Sequence, residues 1–250
     1  MSDEVFSVVV VGVTGDGKST TCNTLAGRKE FDTSGGLSSD TQECAHADYL
    51  YMGGDEISET RVVDTIGLHD TSLPTEEVMK RFSLFSDLVP CGIDLFLFIV
   101  RYGRWKPEHE AAMDAFAANC GESALANTLL VFTSCALEPA ALSAQIEANA
   151  PASLQRILPR LAGPPVGVDH VADEGKARTQ LHSAIDAVVA TGELRRYSNE
   201  ALAEARERYD VKREQERQEF AAAVADWRKG SGPVVIEREQ PAATKACASV

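Results

Sequence analysis

The sequence predicts an α/β fold, a mostly parallel sheet with helices on both faces, followed by a C-terminal helical extension. Three observations predict it. A four-valine run, Val8 to Val11, ends in glycine and opens Gly12-x-x-x-x-Gly17-Lys18-Ser19, the spacing of a phosphate-binding P-loop. Short apolar runs then alternate with amphipathic segments along the chain, the pattern of a doubly covered parallel sheet. Finally, Asp64-x-x-Gly67 closes a hydrophobic run, which after a P-loop marks the nucleotide-sensing switch of a three-layer P-loop NTPase of the G-domain type.

The P-loop spacing has a physical reason. Glycines at 12, 15 and 17 let the backbone turn its amide hydrogens inward, because only glycine reaches positive φ without penalty. Those amides and the positive end of the following helix, Lys18 to Ala26 with Gly27 after it, form a concave anion site. Gly12, Thr14, Gly15, Asp16, Gly17, Lys18, Ser19 and Thr20 are therefore the first nucleotide-binding candidates. Lys18 reaches the β and γ phosphates and is a catalytic candidate, and the Ser19 hydroxyl is a ligand for Mg2+. A glycine-rich turn before an ordinary helix is the alternative.

Val5 to Val11 reads as a buried parallel strand, apolar on both faces. Arg28 to Gln42 is polar, with Gly35-Gly36 and many hydroxyl side chains, as in a loop. In a switch protein a threonine of this loop meets Mg2+ and the γ-phosphate, and Thr41 is the candidate, with a solvated loop hydroxyl as the alternative. Cys44 to Met52 and Glu56 to Asp64 flank Gly53-Gly54-Asp55, predicting a hairpin. Asp64, at the carboxyl end of its strand, can hold Mg2+ through water, and the amide of Gly67 can meet the γ-phosphate. A P-loop small-molecule kinase using ATP has no need of that glycine.

Further along, Thr75 to Val89 predicts an amphipathic helix and Gly92 to Val100 a buried strand. Pro107 suits the first position of a helix that Gly121 ends. Asn127 to Thr133 is a fifth strand, followed by helical pieces at 140–148 and 154–161 broken by Pro151 and Pro159. Pro165 to Val168 is a short last strand and Gly175 to Ala190 a helix with Leu181, Ile185 and Val188 inward. In such a fold the ligand lies at the carboxyl ends of the strands.

Composition sets limits. The 250 residues are 44% apolar and 25% charged, enough for one sizeable domain and an extension. A net charge of −14 argues against a nucleic-acid partner, because phosphate backbones are bound by clustered Lys and Arg. The six cysteines form no CxxC pair and have no histidines at ligand spacing, which disfavours zinc and a disulfide framework and points to a reducing compartment. The acidic start MSDEVFS resembles no leader, and no apolar run approaches a membrane span. A cytoplasmic protein is expected.

Gly92 to Glu110, GIDLFLFIVRYGRWKPEHE, resembles one group of G domains: the AIG-type GTPases, namely the plant avirulence-induced-gene proteins and the animal GTPases of immunity-associated proteins. They are related to the septins and the chloroplast outer-envelope import receptors. The shared box is an apolar strand and then Arg-x-Gly-Arg-aromatic and an acidic helix start, here Arg101, Gly103, Arg104, Trp105 and Glu108. Leu25 to Phe31 resembles the family's LxGRxxF, Ser38 to Cys44 its first switch (supporting Thr41), Asp64 to Leu68 its DTPGL with isoleucine for proline, and Tyr197 to Glu200 the opening of its C-terminal helix.

The resemblance implies GTP or GDP with Mg2+ as ligands and a homodimer or larger oligomer formed across the nucleotide face, and leaves peripheral association with an organelle membrane open. There are departures. Family members often carry a guanine-reading aspartate where this chain has Ala136, in Thr133-Ser134-Cys135-Ala136. Thr133 and Ser134 remain candidates beside the base. Asp169 and His170, where the immunity branch has paired asparagines, are candidate base contacts, with a polar loop as the alternative. Leu68 stands where some GTPases place a water-orienting glutamine, so slow hydrolysis by the monomer is expected. Arg104, supplied by a partner, is the candidate arginine finger, with a structural salt bridge as the alternative. A nucleotide-holding scaffold without turnover is the second reading of the whole chain.

The expected organisation is a G domain over residues 1–192, a helical extension over 193–229 and a disordered tail over 230–250. Ser198 to Trp227 has no glycine or proline and should be one long helix, with Arg213 and Glu216 interrupting any heptad seam. Cys247-Ala248-Ser249-Val250 has the outline of a prenylation box, but Ser249 fits the aliphatic position poorly.

Overall fold

The computed structural model describes residues 5–33, 44–53, 56–65, 86–103 and 105–228. Thr41, Gly67 and Arg104, nearly all of the expected helix at 75–89, and the tail at 230–250 lie outside them.

Among the described residues six strands form one sheet in the order β2-β3-β1-β4-β5-β6. They are β1 (Phe6–Gly12), β2 (Ala45–Gly53), β3 (Glu56–Asp64), β4 (Leu95–Arg101), β5 (Thr128–Thr133) and β6 (Val166–Val168). All neighbours are parallel except β2 and β3, which pair antiparallel as a hairpin. Helices α1 (Lys18–Ala26), α2 (Pro107–Ala126), α3 (Pro139–Asn149), α4 (Ala152–Ile157) and α5 (Glu174–Ala190) connect them, and α6 (Glu200–Arg228) follows.

The central strands carry runs of consecutive apolar residues, Val8 to Val11, Leu95 to Val100 and Leu129 to Phe132, because both faces are covered. Side chains alternate across a strand: Val8, Val10, Leu95, Leu97, Ile99, Leu129 and Val131 join Leu25 of α1 and Leu181, Ile185 and Val188 of α5 in one core. Val9, Val11, Phe96, Phe98, Val100, Leu130 and Phe132 join Met113 and Phe116 of α2, Leu142 of α3 and Leu154 of α4 in the other. Phe96 meets Phe116 edge to face with ring centroids 5.1 Å apart, a geometry that adds about 0.5–1.5 kcal/mol to the burial of the rings. Gly121, at φ 79°, breaks α2 where the sequence ends the helix.

β4 starts at Leu95 rather than at Gly92, because the residues before it are used otherwise. Ile93 and Tyr197 exchange backbone hydrogen bonds at 2.9 and 2.7 Å, and the Asp94 carboxylate accepts from the Ser7 amide at 2.8 Å and from Arg196 Nε at 2.8 Å. Two compact units divide between Arg206 and Glu207. In the first, Asn199 Oδ1 accepts from the Leu202 amide at 3.0 Å, capping the start of α6, and Tyr197 and Leu202 are buried in the core. In the second, the described chain is the rest of α6, where the Arg213 guanidinium lies over the Tyr209 ring at 5.9 Å. Among the described residues no helix is long and apolar enough to cross a membrane.

Candidate nucleotide-binding site

β1 ends at Gly12, with φ 141°; a Cβ there would overlap the carbonyl oxygen of Ile99 on β4. The chain turns outward through Thr14 and Gly15, both exposed, and the Asp16 amide closes the turn on the Val13 carbonyl at 3.3 Å. Gly17, at φ 102°, leads into α1, whose N-terminus no side chain caps. Its first amides are thereby left for an anion, at the positive end of the helix dipole.

Lys18 Nζ donates to the Val13 carbonyl at 3.3 Å. Burial pulls its pKa below the ordinary lysine value, opposed by the carboxylates of Asp64 and Asp16. Next to it, the Ser19 hydroxyl donates to Asp64 Oδ2 at 2.5 Å. Asp64 is held in place by its neighbour Thr65, whose hydroxyl donates to the Val10 carbonyl at 2.8 Å. Burial raises the Asp64 pKa, with the Ser19 hydroxyl and the Lys18 ammonium working against it.

Among the described residues, Asp64 Oδ1 is buried without a hydrogen-bond partner. An orphaned carboxylate oxygen at this depth needs a cation or a donor. Ser19 and Asp64 bring hard oxygens together, the donor chemistry that Mg2+ takes, so these residues fit the ion.

The far side of the site lies at the ends of β5 and β6. Thr133 Oγ1 donates to the Asp16 carbonyl at 2.6 Å, tying the P-loop to β5. Ser134 follows at φ 53° and is exposed; a side chain in this left-handed region costs roughly 1 kcal/mol. The Cys135 amide donates to the Val168 carbonyl at 2.9 Å, joining the two loops. Ala136 is exposed and carries no acceptor. In the loop after β6, Asp169 Oδ1 accepts from the amides of Val171 and Ala172, both at 3.1 Å.

His170 turns toward α1. Its Nε2 lies 3.2 Å from the Thr21 hydroxyl and its Nδ1 2.9 Å from the Thr24 hydroxyl. Thr21 Oγ1 already donates to the Gly17 carbonyl at 2.9 Å, so Nε2 is the donor and Nδ1 accepts from Thr24. Burial lowers the His170 pKa.

Gly12 through Thr20, Asp64, Thr133, Ser134, Asp169 and His170 thus gather at the carboxyl ends of β1, β3, β5 and β6. One residue was missed by reading the sequence. His109, buried in the first turn of α2, donates from Nε2 to Asp16 Oδ2 at 2.7 Å. The sequence signals a helix start at Pro107, but nothing in it announces a partner 93 positions away.

The AIG1 family model matches residues 6–217. The chain belongs to the AIG1 family. Among its curated relatives are immune-associated nucleotide-binding protein 7 of Arabidopsis thaliana, 29% identical over 192 residues (75% of this chain, 61% of that protein). Immune-associated nucleotide-binding protein 10 of the same plant is 28% identical over 198 residues (77% and 42%). The AIG1-family chain therefore spans from about two fifths to three fifths of these relatives' length. Among solved structures, a dimerization-deficient mutant of Toc33 from Arabidopsis thaliana superposes with TM-score 0.59 at 20% identity, covering 78% of this chain and 88% of that one. Toc33 in complex with Mg2+ and GMPPNP gives 0.57 at 20% identity, with the same coverage. The AIG1-family chain has the G-domain fold of these proteins.

Proposed function

We propose that this chain is a GTP-binding switch that takes GTP or GDP with Mg2+ on the P-loop and hydrolyses GTP slowly. The observation that carries this reading is the Ser19–Asp64 contact beside Lys18, with one Asp64 oxygen left unpaired at the mouth of an uncapped helix. The family's nucleotide-binding relatives and the Toc33 complexes with GMPPNP, GDP and Mg2+ support it.

Phosphoryl transfer at such a site is positioning and charge neutralisation. The loop amides and Lys18 hold the phosphates, Ser19 and Asp64 would hold the metal, and Thr41 and the Gly67 amide would close over the γ-phosphate. A bound Mg2+ would offset charge on the phosphate oxygens. Guanine would sit between Thr133-Ser134 and Asp169-His170. With Ala136 and Leu68 contributing neither a base acceptor nor a water-orienting amide, turnover by one protomer is slow. Dimerisation through the nucleotide face would bring in Arg104 of a second copy, and assembly would follow the nucleotide state.

The same Ala136 and Leu68 favour a second reading, a nucleotide-holding scaffold without turnover. Calorimetry with GTP and with ATP in the presence of Mg2+, with Lys18→Ala as the control, tests the first. GTP preference lost in Lys18→Ala supports a GTP site. ATP preference with phosphate transfer to a small acceptor selects a kinase, and tight GTP binding without phosphate release at any protein concentration selects the scaffold.

A further inference from the structure

Asp16 sits between the glycines of the phosphate loop, where the ligand is an anion. A carboxylate at this position opposes the function of the loop unless it is turned away and held. The structure shows it held. Its side chain is buried, and Oδ2 accepts from His109 Nε2 at 2.7 Å.

The histidine is itself fixed on three sides. Its Nδ1 accepts the Lys106 amide hydrogen at 3.1 Å, which places the ring proton on Nε2, toward Asp16. Its backbone amide donates to the Lys106 carbonyl at 2.9 Å. The Trp105 ring stacks on the imidazole, with centroids 6.1 Å apart and planes 25° apart. The Asp16 main chain is clamped separately by Thr133 through its carbonyl, so the loop can keep its path while the side chain is released.

We infer that His109 is a positioning residue for the nucleotide site: it holds the Asp16 carboxylate inward, away from the phosphates. The inference rests on the reading of the P-loop as a nucleotide site. Without the imidazole donor, Asp16 either stays buried as an unpaired charge or swings toward the phosphates, and both outcomes weaken binding of an anionic ligand. The loss is electrostatic, so it depends on the charge at position 16 and not on the volume at position 109.

The test is a double-mutant cycle on the full chain, read as the calorimetric Kd for GTP with Mg2+ and accompanied by a thermal scan of each variant. His109→Phe keeps a ring against Trp105 and removes the donor; its Kd rises by about tenfold or more. His109→Gln, whose amide can donate from the same place, stays within about threefold of the parent. In the Asp16→Asn background the His109→Phe effect shrinks below about threefold, because no carboxylate is left to restrain. An equal loss in both backgrounds, or no loss in His109→Phe, overturns the positioning role while leaving the nucleotide site intact. Absence of GTP binding by the unaltered chain overturns the site and this inference together.

Discussion

The Ser19 hydroxyl donates to Asp64 Oδ2 at 2.5 Å, linking the first turn of α1 to the end of β3, while the other Asp64 oxygen has no hydrogen-bond partner among the described residues. Function and stability conflict at this carboxylate. Burial raises its pKa, so the ionised form is disfavoured in the protein alone and becomes favourable when a cation arrives. Asp64→Asn should therefore stabilise the nucleotide-free chain, by on the order of 1 kcal/mol in a urea titration. The same change should abolish most of the gain in GTP affinity that Mg2+ brings, about tenfold or more by calorimetry with and without chelator. A destabilised Asp64→Asn chain with full Mg2+ response would contradict the assignment.

Acidification should destabilise the protein through buried His182, half-buried His170 and the more exposed His46. Burial is the largest cause lowering the pKa of His46, His170 and His182 from the usual 6.5. Arg61 adds to it at His46 and Arg178 at His182. A histidine with a lowered folded pKa contributes stability that is present above 6.5 and lost as pH falls from there through the folded value. Melting temperature should fall steadily from about pH 7 to about pH 5. His170→Gln, which cannot titrate but retains a donor toward Thr21, should make that slope shallower; an unchanged slope would remove His170 from the account.

What the sequence made legible was periodic or punctuated. Gly17 and Gly27 bound α1 as expected, Pro107 and Gly121 frame the main part of α2, and the alternation of Val8 to Val11 between two cores follows from a parallel sheet covered on both faces. Links that join distant segments were not legible. His109 to Asp16 and Asp94 to Arg196 span 93 and 102 positions, and no local pattern encodes which buried charge meets which donor. The His170 ring was expected beside the base, and its two nitrogens turn out to be engaged by Thr21 and Thr24. A loop's composition says that it is polar without saying which way a side chain points.

Two ion pairs separate a structural charge from a decorative one. Asp94 accepts from Arg196 and from the Ser7 amide and is 13% exposed, so its loss takes a carboxylate from the guanidinium and an acceptor from the amide where the segment before α6 joins the sheet. Asp94→Ala should cost about 3 kcal/mol in urea unfolding. Arg160 and Glu122 pair in the open, at 38% and 74% exposure, where screening and side-chain entropy cancel most of the attraction. Glu122→Ala should leave the unfolding midpoint unchanged within error.

Turnover should depend on protein concentration if a partner's arginine completes the site. The loop after β4 carries Gly103 and Trp105 on either side of Arg104, and Trp105 stacks on His109, which touches the P-loop through Asp16. In the proposed dimer Arg104, next to Trp105 in sequence, would be the arginine that crosses to the second copy. An arginine supplied in trans can accelerate GTP hydrolysis about 10³- to 10⁵-fold. Phosphate release per protomer should rise with protein concentration until the dimer saturates, and Arg104→Ala should hold it at the dilute value while leaving GTP affinity in place. A rate per protomer that is flat with concentration, or an Arg104→Ala rate equal to the parent at saturation, would assign hydrolysis to the protomer's own residues. Sedimentation of both proteins with GTP or GDP separates the two roles open to Arg104: loss of the dimer in Arg104→Ala makes it an interface residue, and a retained dimer with lost turnover makes it the finger.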